Sequence, residues 1–354
     1  MTILRFPNPG SDMGRLMNSY KVIWDAAEQD NGQIDIDGMT RALVSKQQAS
    51  SSGAVGAEAL RRSTRIDRSR DPLFNQSKMY SELFRMLGWL WVRDKRSLFR
   101  TTPFGYAIVD NLKAGRRDQL ERLLQYSLIG ITLPSPHTEL QGVTNHRPFS
   151  FFLRLMEALE GWIDREELIV GVLAIRDDRI PNVFADMVAK LTANRTRAGA
   201  IDRAAAAVAS ANHVQHNTLQ NYTRFPLGAI AAPEVGWAVE GRVKIHGETR
   251  IVRRLTHRGR AMAAQIVAAR DVREADIEAF SLEQRAQFAN YSMYSILENA
   301  GYDPAVFAVE RQVARAGCKR LLDSLGIDQP GTFIYSPAQQ ASLNVLDLAE
   351  RLAA

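Results

Sequence analysis

Apolar residues recur at helical spacing along most of the chain, and two short alternating runs interrupt them. Residues 1–10 (MTILRFPNPG) predict an extended arm, because Pro7 and Pro9 both disfavour helix. Ser11 or Asp12 can cap a helix to about Gln29, with Leu16, Tyr20, Ile23, Trp24 and Ala27 on one face. Asn31 and Gly32 signal a turn, and Asp35-Ile36-Asp37 leads into a second helix ending near Gln48. Residues 50–56 (SSSGAVG) read as a small-residue loop. A third helix covers about 71–87 and stops at Gly88. Residues 89–93 and 98–101 then predict two strands around Asp94-Lys95-Arg96-Ser97, and Pro103 opens another helix.

The same order returns in the second half. Arg147-Pro148 begins a helix that turns Phe151, Phe152, Leu155, Met156 and Leu159 inward and ends at Gly161. Asp164 caps the next helix, to Ile175, and others follow at about 180–194, 200–211 and 219–232. Residues 235–239 and 250–254 predict a hairpin around Gly241 and Gly247, and Thr256 caps a closing helix. The passages 99–105 (FRTTPFG) and 253–259 (RRLTHRG) match: strand, threonine cap, glycine one turn in. We read a duplicated winged-helix unit. The expected fold is mainly α with small β-hairpins as wings, in tandem winged-helix domains followed by a C-terminal helical region. The expected boundaries are arm and first unit 1–118, connector 119–146, second unit 147–272, and helical region 273–354. In the last, Phe280, Phe288, Tyr291, Tyr294 and Leu297 form a core stripe, and a final helix runs over 339–352.

Charge changes the picture. Residues 61–100 carry eleven basic side chains against four acidic, and residues 242–260 carry seven against one. Both stretches fall on predicted hairpins, so two basic contacts sit on a chain whose whole net charge is only +6. That is the footprint of a double-stranded DNA binder. Of 45 basic residues only eight are lysine, and arginine forks onto phosphate or guanine in a fixed plane. One cysteine, Cys318, excludes internal disulfides and cysteine-based zinc sites, and fits a cytoplasmic protein. No signal peptide or membrane span is visible, and nothing suggests a small-molecule substrate.

A catalytic constellation is not found. None of the eight lysines follows an acid two residues upstream, as a two-carboxylate nuclease would require. The six histidines form no metal-binding pattern; His213 and His216 are better read as surface or DNA-facing. Glu166-Glu167 and Asp177-Asp178 read as solvated helix ends. No catalytic residue, metal or cofactor is assigned; Mg²⁺ is expected only for a partner nuclease.

In a winged helix the start of the third helix enters the major groove and the hairpin lies on the backbone. That places Asn75, Gln76, Ser77 and Lys78 at the DNA in the first unit, after Arg61, Arg62, Arg65, Arg68 and Arg70. In the second, the polar stretch 213–224 (HVQHNTLQNYTR) offers Gln215, His216, Asn217, Gln220, Asn221 and Arg224. Backbone contacts are expected from Arg61, Arg68, Arg70, Lys78, Lys95, Arg96, Arg242, Lys244, Arg253, Arg254 and Arg258.

Residues 147–170 (RPFSFFLRLMEALEGWIDREELIV) and 58–90 (EALRRSTRIDRSRDPLFNQSKMYSELFRMLGWL) resemble segments of the AlwI family of type IIS restriction endonucleases. The layout, with an Asn8-Pro9-Gly10 arm and two successive units, is similar to the DNA-recognition half of FokI. The resemblance covers roughly residues 1–270. It implies recognition of a short asymmetric duplex site, with cleavage by a separate Mg²⁺-dependent nuclease in another chain or removed from this one. By position it makes Asn8, Arg62 or Arg65, Asn75, His216, Asn221 and Arg224 base-contacting candidates; Pro7 and Asn75 differ from the FokI residues. The alternative is a winged-helix transcriptional regulator or a structural DNA-binding subunit of a defence complex.

Overall fold

Asp12 opens the first helix, its carboxylate accepting the Arg15 N–H at 2.7 Å. In this computed structural model, which describes residues 3–51, 54–62, 71–92, 98–133, 145–273, 276, 279–301, 308–327 and 333–334, that helix is α1 (Met13–Ala27). It buries Leu16, Met17, Tyr20 and Ile23. Asn31 and Gly32, both left-handed, turn the chain into a short strand β1 (Gln33–Asp35), and Asp35 caps α2 (Ile36–Ser45). Residues 50–56, expected as a loop, carry the paired strands β2 (Ser50–Ser51) and β3 (Ala54–Val55), and α3 (Gly56–Arg62) follows. Next come α4 (Pro72–Met86), β4 (Leu90–Val92), β5 (Leu98–Thr101) and α5 (Pro103–Ala114). The antiparallel sheet has the order β1-β5-β4, with Ile34 opposite Phe99.

Residues 117–129, mostly inside the expected connector, form α6 (Arg117–Ile129). It buries Leu120, Leu123, Leu124 and Leu128, and its Ser127 hydroxyl accepts the Trp89 indole N–H at 3.0 Å. α7 (Pro148–Ala158) then leads through left-handed Glu160 and Gly161 into β6 (Trp162–Asp164). Asp164 caps α8 (Arg165–Leu168), which continues as a π-turn to Leu173. After α9 (Val183–Arg195) and α10 (Ala200–Ala211), the single helix expected over 219–232 is two, α11 (His216–Tyr222) and α12 (Arg224–Ala231). Pro226 is the reason: it has no N–H for the Tyr222 carbonyl, and its ring crowds that carbonyl.

The second hairpin is longer than its sequence pattern suggests: β7 (Ala238–Ile245) and β8 (Glu248–Leu255) turn at His246 and Gly247, both left-handed. Gly241 is not at the turn but inside β7, where the Arg254 side chain lies against it. The sheet order is β6-β8-β7, matching the first sheet element for element. α13 (His257–Ala268) closes the set.

The two hairpin-to-helix junctions share one hydrogen-bond pattern. Thr102 Oγ1 donates to Gly88 O at 2.8 Å and Thr256 Oγ1 to Gly236 O at 2.7 Å. The Thr102 and Thr256 N–H groups donate to Trp89 O and Trp237 O at 3.1 and 2.9 Å. The same hydroxyls then accept the Gly105 and Gly259 N–H groups, capping α5 and α13. A Cβ at Gly105 or Gly259 would collide with Trp89 O or Trp237 O, so each helix start needs glycine to come this close to the strand. Both tryptophans are fully buried.

Beyond α13, β9 (Arg270–Asp271) pairs in parallel with β10 (Phe333–Ile334), and α14 (Leu282–Asn299) packs on α15 (Ala308–Ser324). Phe288, Tyr291 and Leu297 are buried, with Phe280 and Tyr294 packed against them. Cys318 is buried among them, its thiol pushed up to about 12 by burial. The helix expected at 339–352 lies outside the described residues. Among the described residues no helix is long and apolar enough to cross a membrane.

Candidate nucleic-acid interface

The N-terminal arm runs over the second set of elements. Leu4 N–H donates to Leu173 O at 2.9 Å, and the Phe6 ring packs on Phe149 (5.6 Å) and Phe225 (5.7 Å). Half-buried Asn8 therefore follows a residue anchored at the start of α12, where Arg224 is exposed.

The polar stretch 213–224 divides by face. His216 Nε2 meets Glu166 Oε2 at 2.6 Å, and Gln220 Nε2 donates to Glu166 Oε1 at 2.8 Å. These two expected readers thus point back at α8. Asn217, Asn221 and Arg224 are exposed and have no side-chain partner among the described residues. Leu219 and Thr223 are fully buried beneath them.

Antiparallel register places Arg242 opposite Ile251 and Lys244 opposite Thr249, on one exposed face of the hairpin. Neither cation has an ion-pair partner among the described residues, nor does exposed Arg254. The other basic residues of this stretch are neutralised. Arg250 lies between Asp164 (2.7 Å) and Asp202. Arg253 pairs with Glu240 at 2.7 Å and reaches Leu227 O, Arg258 pairs with Glu121 at 2.8 Å, and Arg260 with Glu157 at 2.8 Å. The hairpin tip is held as well, His246 Nε2 lying 3.0 Å from Arg195 O. A cleft of about 330 Å³ separates the hairpin from α8 and α12, lined by Arg165, Glu166, Leu227, Ile251 and Arg253 among others.

In the first set, Asn75 and Gln76 are half-buried near the start of α4. Ser77, expected at the DNA, is instead buried and accepts the Thr40 hydroxyl at 2.8 Å, because α2 packs on that face. Lys78 is exposed with its ammonium 4.8 Å from the Phe74 ring centre. Exposed Arg61 pairs with Glu58 at 2.5 Å, and Arg62 ends α3. Arg65, Arg68, Arg70, Lys95 and Arg96 lie outside the described residues.

Three of the four acids read as solvated helix ends have little or no contact with solvent. The Asp178 side chain is 4 % exposed and binds His146 Nδ1 (3.1 Å), the Arg147 N–H (2.8 Å) and Arg273. Burial pushes its carboxyl up, but the His146 hydrogen bond, the His146 and Arg273 charges and the Arg147 N–H outweigh it and hold the group far below its ordinary value. Glu167 completes the capping box with Asp164 and takes Arg195 at 2.6 Å; burial raises its carboxyl despite that partner. The Glu166 side chain is 12 % exposed. Glu166 and Glu167 do stand in the first turn of α8, but all three acids find partners far along the chain, and those partners take the place of the expected solvent. Among the described residues no group of three or more His, Cys, Asp or Glu side chains is arranged to hold a metal ion.

No protein-family model matches the chain, and no curated protein sequence matches it.

Proposed function

We propose that this chain recognises a short asymmetric duplex DNA site through two winged-helix units. It would act as the recognition part of a type IIS restriction endonuclease whose nuclease resides elsewhere. The observation that carries the reading is the repeated unit. Each half places a short strand between its first two helices, pairs it with the far strand of a hairpin, and closes with a threonine-capped helix. This repetition supports the winged-helix reading, in which the helix before the hairpin faces the major groove. In the second unit Arg224 opens that helix, α12, and Asn217 and Asn221 stand on α11 just before it; all three are exposed and without partners among the described residues, as are Arg242 and Lys244 on the hairpin that follows. Amides and guanidinium groups read base edges, and cations on a wing neutralise phosphates. The restriction role rests on the resemblance to the AlwI and FokI recognition regions.

Selection from a random duplex pool tests it. The chain should enrich one non-palindromic site and leave it uncut in Mg²⁺. Asn221→Ala or Arg224→Ala should cost about 1–3 kcal/mol on that site while random DNA binds nearly as before. Enrichment of no sequence refutes the reading, and a palindromic site bound by a symmetric dimer favours a regulator.

A further inference from the structure

We propose that Glu166 is a positioning residue that sets the rotation of α11 about its axis and so decides which side chains face the DNA. The inference rests on the function proposed above. His216 and Gln220 are four residues apart, on one side of the helix, and both hydrogen-bond to the two oxygens of this one carboxylate. An ionised carboxylate only accepts, so His216 carries a proton on Nε2. Two bonds one turn apart resist rotation in a way that one bond does not.

α11 needs such a constraint. It has seven residues, too few to be stable alone, and Leu219 is its one fully buried side chain. The break at Thr223 also separates it from α12. Glu166, by contrast, stands on a fixed platform. Its helix starts with the Asp164–Glu167 capping box, Arg195 binds Glu167 while lying 3.4 Å from the Trp162 ring centre, and Arg250 binds Asp164. A helix turns about 100° per residue, so shifting the pattern by one position would aim Asn217 and Asn221 at Glu166 and send His216 and Gln220 outward. The carboxylate selects between these two rotations.

The test uses the full chain, the duplex enriched by the wild type, and a random duplex. Glu166→Ala should reduce the ratio of specific to random affinity roughly tenfold or more, with random binding nearly unchanged. Glu166→Gln keeps an acceptor for Gln220 and offers an amide N–H to the other His216 tautomer, so it should recover most of the ratio. In the free protein, the His216 ring resonance should move in Glu166→Ala far more than those of the other histidines. If Glu166→Ala does not fold, His216→Ala with Gln220→Ala removes the same fork from the other side and should show the same loss. A wild type that enriches a site and a Glu166→Ala or double variant that enriches the same site equally well overturns the inference alone. A wild type that enriches no site overturns the function and the inference with it.

Discussion

Arg250→Ala should cost the protein about 4 kcal/mol. The guanidinium is 14 % exposed and joins two unlike carboxylates closely, Asp164, 5 % exposed, and Asp202, 45 % exposed, with the exposed Glu248 farther off at 3.8 Å. Burial works against its charge, yet both acids outweigh burial and hold its pKa above the ordinary value. The two arms are not equal. The Asp202 arm is half in water and contributes less than about 1 kcal/mol. Without Arg250, Asp164 stays buried and, among the described residues, keeps only the Glu167 N–H, on its other oxygen at 2.8 Å. Stripping one partner from a buried pair costs about 3–5 kcal/mol. Domain stabilities run to about 5–15 kcal/mol, so the variant should unfold at a much lower urea concentration, whereas Asp202→Ala should barely move the midpoint. Urea unfolding followed by tryptophan fluorescence measures both, since Trp162 in β6 reports on this sheet. Two results would refute the reasoning: a loss below about 1 kcal/mol for Arg250→Ala, or equal losses for the two variants.

Other consequences follow from the same geometry. Gly105→Ala and Gly259→Ala should each destabilise by about 1–3 kcal/mol, because the added methyl meets the tryptophan carbonyl just before the hairpin in both units, and the Tyr20 hydroxyl as well at Gly105; a neutral result at either, by thermal unfolding, would break the equivalence of the junctions. Asp178 has a depressed folded pKa, so its contribution is full above its ordinary value of 3.8 and is lost as pH falls through the folded value. Asp178→Asn should therefore be less stable than wild type at pH 7, and the two should converge in acid; parallel stability profiles would contradict this. Arg242→Ala and Lys244→Ala should each lower the salt-dependence slope of duplex binding by roughly 0.9, and Arg253→Ala, engaged with Glu240, by less. A larger drop for Arg253→Ala would show that DNA displaces Glu240.

Local chemistry in the sequence was enough to place most helices and their ends. Asp12, Asp35, Asp164, Thr102 and Thr256 act as the caps their side chains suit, and Gly88 stops α4 by adopting a left-handed conformation. The matching Thr-x-x-Gly passages also announced the repeat, because a cap and a close approach are both short-range demands. What needed tertiary structure was everything decided across long separations. β1 and β6 are three residues each, too short to show a period, and become strands only because β5 and β8 lie beside them. Pattern alone gave no sign that the arm docks on Phe149 and Phe225. Charge counts said least about pairing. A run of basic residues looks free in sequence, yet Arg250 finds Asp164 at a separation of 86 residues and Arg258 finds Glu121 at 137. Glu166 likewise meets His216 and Gln220 at separations of 50 and 54, so two expected base readers hydrogen-bond to α8. Hydrogen bonds and close ion pairs form over a few ångströms of space, and only the folded chain says which residues share them.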